Sequence, residues 1–278
     1  MFLIAVGLAG LLFGVGSSEV RRFERAAAND VSSRLTGEHR QVMVRTKMDP
    51  LQAVGGRLKS ATITASEFAV DGLPLFTEPE GSKRGRLDEL KLNLTNFELT
   101  GLHVKRLEAR IPSSRFDWGL AQRQGKIRLT QCGVGTGSVE VEREALRNYI
   151  AVKHPNLTIE RFELSTDLVE ISGKGRFLGF ESAVNIRSRL ASPDGSSIHL
   201  ADADIDVNGQ KANPAARDAI LKLLNPVLDL DKDLKLYGAL KIEELVVSRE
   251  SIIARGVATI PVRPIPAHSG TERSMNAR

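Results

Sequence analysis

The chain has 278 residues, of which 41% are hydrophobic and only 5% aromatic, so a sizeable core is available and it must be aliphatic. The net charge is +5, with 39 Lys and Arg scattered among 34 Asp and Glu. That scatter lacks the basic patch with interleaved aromatics that a nucleic-acid binder uses, and a modest surplus suits an anionic lipid surface or an ordinary protein surface equally well. The single cysteine, Cys132, excludes an intramolecular disulfide and a cysteine-based metal site; it reads as a small buried hydrophobe. His39, His103, His154, His199 and His268 are far apart and show no ligand spacing, so no metal and no cofactor is expected.

Residues 2–16, FLIAVGLAGLLFGVG, carry no charge. A spanning helix needs about 20 residues, so this run has the length of a signal-peptide apolar region. No Lys or Arg precedes it, and Arg21 and Arg22 follow it. The expectation is a signal peptide or short membrane anchor over 1–16, and export to the periplasm or cell envelope. Ser17-Ser18 then caps a helix in which Val20, Phe23, Ala27, Val31 and Leu35 recur at helical spacing, closed by Gly37.

Strands dominate from there. Alternation predicts strands over 41–47 and 63–70, with a helical turn from Asp49-Pro50 to Gly55-Gly56 between them and a polar loop, TEPEGSKRG, over 77–85. The segment LDELKLNLTNFELTGLHVKRLEARI (87–111) alternates through Leu90, Leu92 and Leu94, changes phase to Phe97 and Leu99, and turns at Thr100-Gly101. It resumes with Leu102 and Val104 and changes phase again to Leu107, Ala109 and Ile111. A one-residue change moves the apolar face across the strand unless a bulge absorbs it, so this hairpin is expected to be long and strongly bent. Further on, the pattern predicts a helical turn with Trp118 over 114–122 and strand over 126–142 interrupted by GVGTGS. It then predicts a helix over 143–153 ended by His154-Pro155. Strands follow over 157–164, 168–172, 175–180, 183–190, 198–207, 234–247 and 252–262, and the polar tail 263–278 reads as disordered.

One short helix interrupts the strands in NPAARDAILKLLNPVLDL (213–230). Asn213 suits the N-cap and Pro214 the first helical position; Ala216, Ile220, Leu223 and Leu224 form an apolar face; Pro226 stops the helix. Such a helix packs inside a curved sheet or serves as an ordinary core helix.

Taken in order, these features resemble the LmeA-like family of bacterial phospholipid-binding envelope proteins. The similar elements are the N-terminal export segment and amphipathic helix, the strand pattern of 87–111, the strand-then-helix VEVEREALRNYIAVK, the helix ending LLNPVLDL, and LKIEELVVSRESIIARGVA closing on Gly256. The similarity spans roughly residues 18–262. It implies an α+β fold over 17–262 in which a long, strongly twisted antiparallel sheet curls around one or two amphipathic helices, like tubular lipid-binding proteins, and leaves an apolar groove. Phospholipid or a membrane surface is then the partner. Wall candidates are Ile220, Leu223 and Leu224, then Leu146, Tyr149 and Ile150, each also readable as dry core. Arg143, Arg147 and Lys153 are headgroup candidates, also readable as a solvated helix face.

No GxSxG, P-loop or dinucleotide fingerprint occurs, and GVGTG (133–137) lacks the Lys-Ser/Thr of a phosphate cradle. ADADID (201–206) puts Asp202, Asp204 and Asp206 on one strand face, which reads as a solvated acidic edge. The sequence therefore favours a non-enzymatic lipid binder over a filled structural or adaptor module, and both over a hydrolase acting on envelope glycolipid. A continuous apolar cavity separates the first from the second; a buried acid pair or a Ser–His contact would favour the third.

Overall fold

Alternation and β-branched content make most of the chain strand, and the computed structural model, which describes residues 20–48, 56–124, 126–177 and 180–262, sorts those strands into two sheets. The larger holds β1 (Gln41–Lys47), β2 (Arg57–Ser66), β4 (Gly85–Leu99), β5 (Leu102–Phe116), β7 (Gly135–Glu142), β15 (Ser251–Ala258) and β14 (Leu240–Val247), in that spatial order; β3 (Ala69–Val70) lies on β4 and β6 (Leu129–Gln131) on β5. The smaller is a meander of β8 (Leu157–Ser165), β9 (Leu168–Phe177), β10 (Phe180–Ala191), β11 (Ser197–Val207) and β12 (Gln210–Lys211), with β13 (Leu228–Asp229) against β11. The helices are α1 (20–32), α2 (Trp118–Gln124), α3 (Arg143–Lys153) and α4 (Pro214–Leu224). The fold is α+β with a strongly curled sheet packed against helices. Two sheets form because α3 turns the chain away after β7, and β14 and β15 later return to the first sheet's edge. One long pairing, β2 with β4, is parallel.

The two phase changes in 87–111 have a specific structural solution. In the β4–β5 hairpin the inward pairs are Leu90↔Ile111, Leu92↔Ala109, Leu94↔Leu107, Phe97↔Val104 and Leu99↔Leu102. Register never slips along this hairpin, because each strand changes phase at the same level as its partner. The same device recurs one level down, where Leu87 faces Ser114. Asn96 and Ser113, both at positive φ, mark the two levels. Matched changes bend both strands together while keeping one apolar face. Register shifts do occur in other pairings, at Arg115/Phe116 between β5 and β6, at Ile159/Arg161, at Arg187/Arg189 and between Ile242 and Glu244 of β14. Opposite the last sits Gly256, where a Cβ would fall 1.9 Å from the Lys241 carbonyl oxygen, so only glycine fits.

Several boundaries differ from the sequence pattern. β5 runs on to Phe116, so the turn predicted over 114–122 begins only at Trp118. The break in 126–142 falls at 132–134, and GTGS belongs to β7. β9 is continuous through the predicted gap at 173–174. The strand predicted over 234–247 begins only at Leu240: Leu234 and Leu236 alternate, but Lys235 and Tyr237 take positive φ and the backbone turns. β15 ends at Ala258 rather than continuing to 262. The expected leader over 1–16, the turn over 49–55 and the tail 263–278 lie outside the described residues.

Three apolar clusters hold the elements. The first joins the small sheet to α3 and α4 through Leu146, Ile150, Ile220 and Leu224. The second lies between the large sheet and residues 227–240, and the third sits under α1 around Ala27, Val44 and Ile63. The short helix of 213–230 forms as its caps demand: the Asn213 side chain accepts from Ala216 N at 2.8 Å. At its other end Asn225 pairs with the Leu200 backbone in both directions, accepting from N at 2.8 Å and donating to O at 3.1 Å, which fixes α4 to β11.

Candidate functional site

Register hollows the concave face of the large sheet. Ala109 of β5 faces Gly137 of β7, so two small residues lie side by side on the cavity wall. Ala254 and Ala258 add to the deficit. The element covering this face is not a helix. Residues 227–240, here called the roof, cross it as the short β13 followed by turns, ending at the first residue of β14, and present Val227, Leu230, Leu234 and Leu236. The mismatch leaves a cavity of about 160 Å³, whose other walls include Leu94, Phe97, Leu107 and Val139 and whose polar neighbours are Glu108, Ser138 and Thr259. A buried water needs two to four polar partners, and walls this apolar suit hydrocarbon instead. Phe68 and Phe97, stacked at 4.8 Å, close one flank.

The roof is pinned at both ends. Lys153, at the end of α3, donates to the carbonyls of Pro226 and Val227 at 3.0 and 3.3 Å and to the Asp233 carboxylate. Asp233 also accepts from Asp229 N at 2.8 Å. The Tyr149 hydroxyl is pushed above the ordinary tyrosine range by burial, then by the charge of Asp233, to which it hydrogen-bonds. At the far end Lys235 pairs with Asp71 at 2.6 Å, and Leu73 N donates to Lys235 O at 3.3 Å. Between the pins, Leu230 N donates to Ser196 O in the β10–β11 turn. That turn's Gly195, at φ +75°, sits where a Cβ would lie 2.7 Å from the Lys241 side chain.

A second, smaller cavity of about 30 Å³ lies under α1. Leu75 lines both cavities. The far wall of the small one carries Asp30 and Arg34, joined at 2.7 Å.

Of the wall candidates read from the sequence, only Leu146 lines the large cavity. Ile150, Ile220 and Leu224 are buried in the small-sheet cluster, and Tyr149 packs beside the roof. Leu223 is 52% exposed, and Leu221 packs in its place. The two leucines flank the Ile220–Leu224 axis by about 80° on either side, so helical periodicity cannot choose between them. Arg143 and Arg147 pair with Glu144, at 3.1 and 3.5 Å, and Arg147 also donates to Ile159 O at 3.3 Å. Lys153 spends its three donors inside the protein, on the roof. The residues that shape the cavity carried no motif. Their one signal is the juxtaposition of Ala109 and Gly137, with Ala254 and Ala258 on the next strand, visible only once strand register is known.

A Ser–His contact is present: Ser197 Oγ and His199 Nε2 are 2.8 Å apart. The carboxylate here is Asp194, and it accepts from Ser197 Oγ at 2.9 Å rather than from the imidazole. A hydrolytic triad needs the acid on the histidine and the serine at the end of the chain of bonds. Here the serine lies in the middle, and Asp194 also accepts from Ser196 N and Ser197 N. These contacts, the Ser196 N–H first, hold the Asp194 carboxyl down to about 2. The acids Asp229 and Asp233 lie together, but each is occupied: Asp229 accepts from Asp231 N and Lys232 N, and Asp233 binds Lys153.

Asp202 pairs with Arg189, and Asp204 and Asp206 share Lys211, so each acid of this strand edge already has a cationic partner. Among the described residues no cluster of three or more His, Cys, Asp or Glu can hold a metal, and no helix is long and apolar enough to cross a membrane. Cys132 is half-buried, and burial raises its thiol pKa. The family model of LmeA-like phospholipid-binding proteins matches residues 83–257. That stretch contains most of the strand residues lining the large cavity together with the whole roof, while Phe68, Val70 and Leu73–Leu75 of its wall lie before it. No curated protein and no solved structure matches the chain.

Proposed function

The chain belongs to the LmeA-like phospholipid-binding family, and from that premise we propose that it holds a phospholipid by an acyl chain lodged between the large sheet and the 227–240 roof. The observation that carries this reading is the apolar cavity itself, built from small residues on the sheet and leucines on the roof. Its volume of about 160 Å³ is close to that of apolar cavities of about 150 Å³ that take one benzene-sized ligand. In this conformation it accepts a segment of one chain, and a longer segment requires the roof to rise. Each buried methylene contributes about 0.8 kcal/mol, so six contribute about 5 kcal/mol before any headgroup contact. The role is binding rather than catalysis, with no nucleic-acid partner, and the place of action is the cell envelope. The apolar run 2–16 and the membrane origin of the ligand support that location.

Native mass spectrometry of the full chain, purified from a bacterial host without detergent, tests the reading. Phospholipid near one per chain, displaceable by added lipid, is the expected result. A clean apo mass that persists after incubation with phospholipid vesicles favours the filled structural module. Cell fractionation with sequencing of the mature N-terminus tests the location. A hydrolase is the second reading, favoured only by the Ser197–His199 contact. It requires ester cleavage that disappears in Ser197→Ala.

A further inference from the structure

The two cavities meet at Leu75, and only the small one has a charged pair in its wall. We infer that the acidic end of the bound lipid sits at Arg34, and that its chain runs past Leu75 into the large cavity. This placement rests on the lipid-binding reading. Arg34 and Asp30 have side chains 24% and 17% exposed, so they stand at a rim, partly desolvated, rather than free in solvent. A guanidinium has five N–H donors, and the bond to Asp30 leaves others for a phosphate diester or a carboxylate. None of Lys153, Arg147 and Lys235 lines either cavity: Lys153 is saturated by the roof, Arg147 serves Glu144 and Ile159, and Lys235 is paired with Asp71. Length fits as well. On β4 the small cavity is lined at Leu87 and the large one as far as Leu99, twelve residues apart. At about 3.3 Å per residue that is about 40 Å, against about 15 Å for the chain region of one leaflet. The two cavities together thus offer more apolar wall than one acyl chain needs, with Leu75 common to both. Leu75 is the partition its rotation opens.

The chain carries a reporter at the right end. Trp118 is its single tryptophan and packs edge-on to Phe116, centroids 6.0 Å apart, and Phe116 lines the small cavity. The test uses phosphatidylglycerol brominated either near the glycerol or near the chain terminus, added to the full-length protein. Bromine near the glycerol is expected to quench Trp118 more strongly than bromine near the terminus. Arg34→Gln is expected to weaken phosphatidylglycerol binding roughly tenfold or more, and to leave binding of uncharged diacylglycerol unchanged. Asp30→Asn, which removes the competing carboxylate, is expected to tighten it. Competition by oleate against phosphatidylglycerol then tells carboxylate from phosphate as the preferred oxyanion; either preference supports the placement if Arg34→Gln abolishes it. Stronger quenching from the chain terminus, or phosphatidylglycerol binding by Arg34→Gln equal to that of the wild type, overturns the placement while leaving lipid binding intact. The quenching arm needs no variant, so misfolding of Arg34→Gln cannot mask the answer. Absence of quenching by either lipid, with a clean apo mass, removes both the placement and the lipid-binding reading.

Discussion

The two sheets bury aliphatic faces of similar composition, yet one is filled and the other is hollow. The small sheet presents Ile159, Ile171, Ile186 and Ile205, and two helices answer with Leu146, Ile150, Ile220 and Leu224. The large sheet presents leucines interrupted by Ala109, Gly137, Ala254 and Ala258, and an irregular segment answers. A helix satisfies its own backbone and projects a dense ridge of side chains into the facing surface. The roof cannot do this. Its backbone bonds go to Leu73, Ser196, Thr259 and β11, to the Lys153 side chain and to its own turns, rather than to a regular helical ladder. Apolar pattern decides which surfaces leave water; the shape of the covering element decides whether the space behind them closes.

The sharpest way to break this comparison is to remove the same kind of bulk from each side. Ile186 is 1% exposed in the filled cluster, and Ile186→Ala is expected to cost about 3–5 kcal/mol by urea denaturation. Leu107 lines the cavity and has already lost neighbours on one side, so Leu107→Ala is expected to cost only about 1–2 kcal/mol and to enlarge the site. Equal losses would mean that the cavity is closed in solution.

Adding bulk should reverse the sign. Ala203 is buried in the filled cluster, and Ala203→Leu is expected to destabilise by about 1–3 kcal/mol through overpacking. Ala109→Leu projects into empty space, so its thermal midpoint should hold or rise by the equivalent of up to about 1 kcal/mol while lipid uptake falls at least tenfold. Native mass spectra beside thermal melts check both at once.

The roof's two pins differ in the same sense, one partly buried and one exposed. Lys153→Met strands the carbonyls of Pro226 and Val227 and the charge of Asp233, and is expected to cost about 1–3 kcal/mol. Lys235→Met breaks a pair with Asp71 that is mostly in water, and is expected to cost at most about 1 kcal/mol. Hydrogen exchange over 227–240 should accelerate strongly in the first variant and slightly in the second.

The filled half was the legible half. Asn213, Pro214 and Pro226 announce α4 by local chemistry, and α3 ends at His154 as its sequence predicts. The doubled phase change in 87–111 showed that the hairpin bends, although the register-preserving solution needed both strands. The hollow half was not legible, for physical reasons. Ala109, Gly137, Ala254 and Ala258 are spread along the sequence and become neighbours only through pairing. Leu234 and Leu236 alternate like a strand, but positive φ at Lys235 and Tyr237 makes them a roof. A cavity made of missing side chains leaves no motif, whereas helical faces point to the core around Ile220 and Leu224.

The smallest effect tests whether the partly buried pin has a pH dependence that the exposed one lacks. His154 caps α3 beside Lys153, and its pKa is lowered by burial first and by the Lys153 charge second, against a smaller opposing pull from Asp233. The unfolded chain takes up this proton near about 6.5, whereas the folded chain takes it up only at lower pH. Between those two values the unfolded state binds more protons, so stability falls as pH falls and recovers as pH rises. Below the lowered folded value both states are protonated and the loss is complete. His154→Gln removes the titration. Its urea midpoint should therefore change less than that of the wild type between about pH 7 and pH 5, while Lys235→Met keeps the wild-type slope. Equal slopes in His154→Gln and wild type would show that the pinned end of the roof is indifferent to this imidazole, and the asymmetry between the two pins would then rest on hydrogen bonds alone.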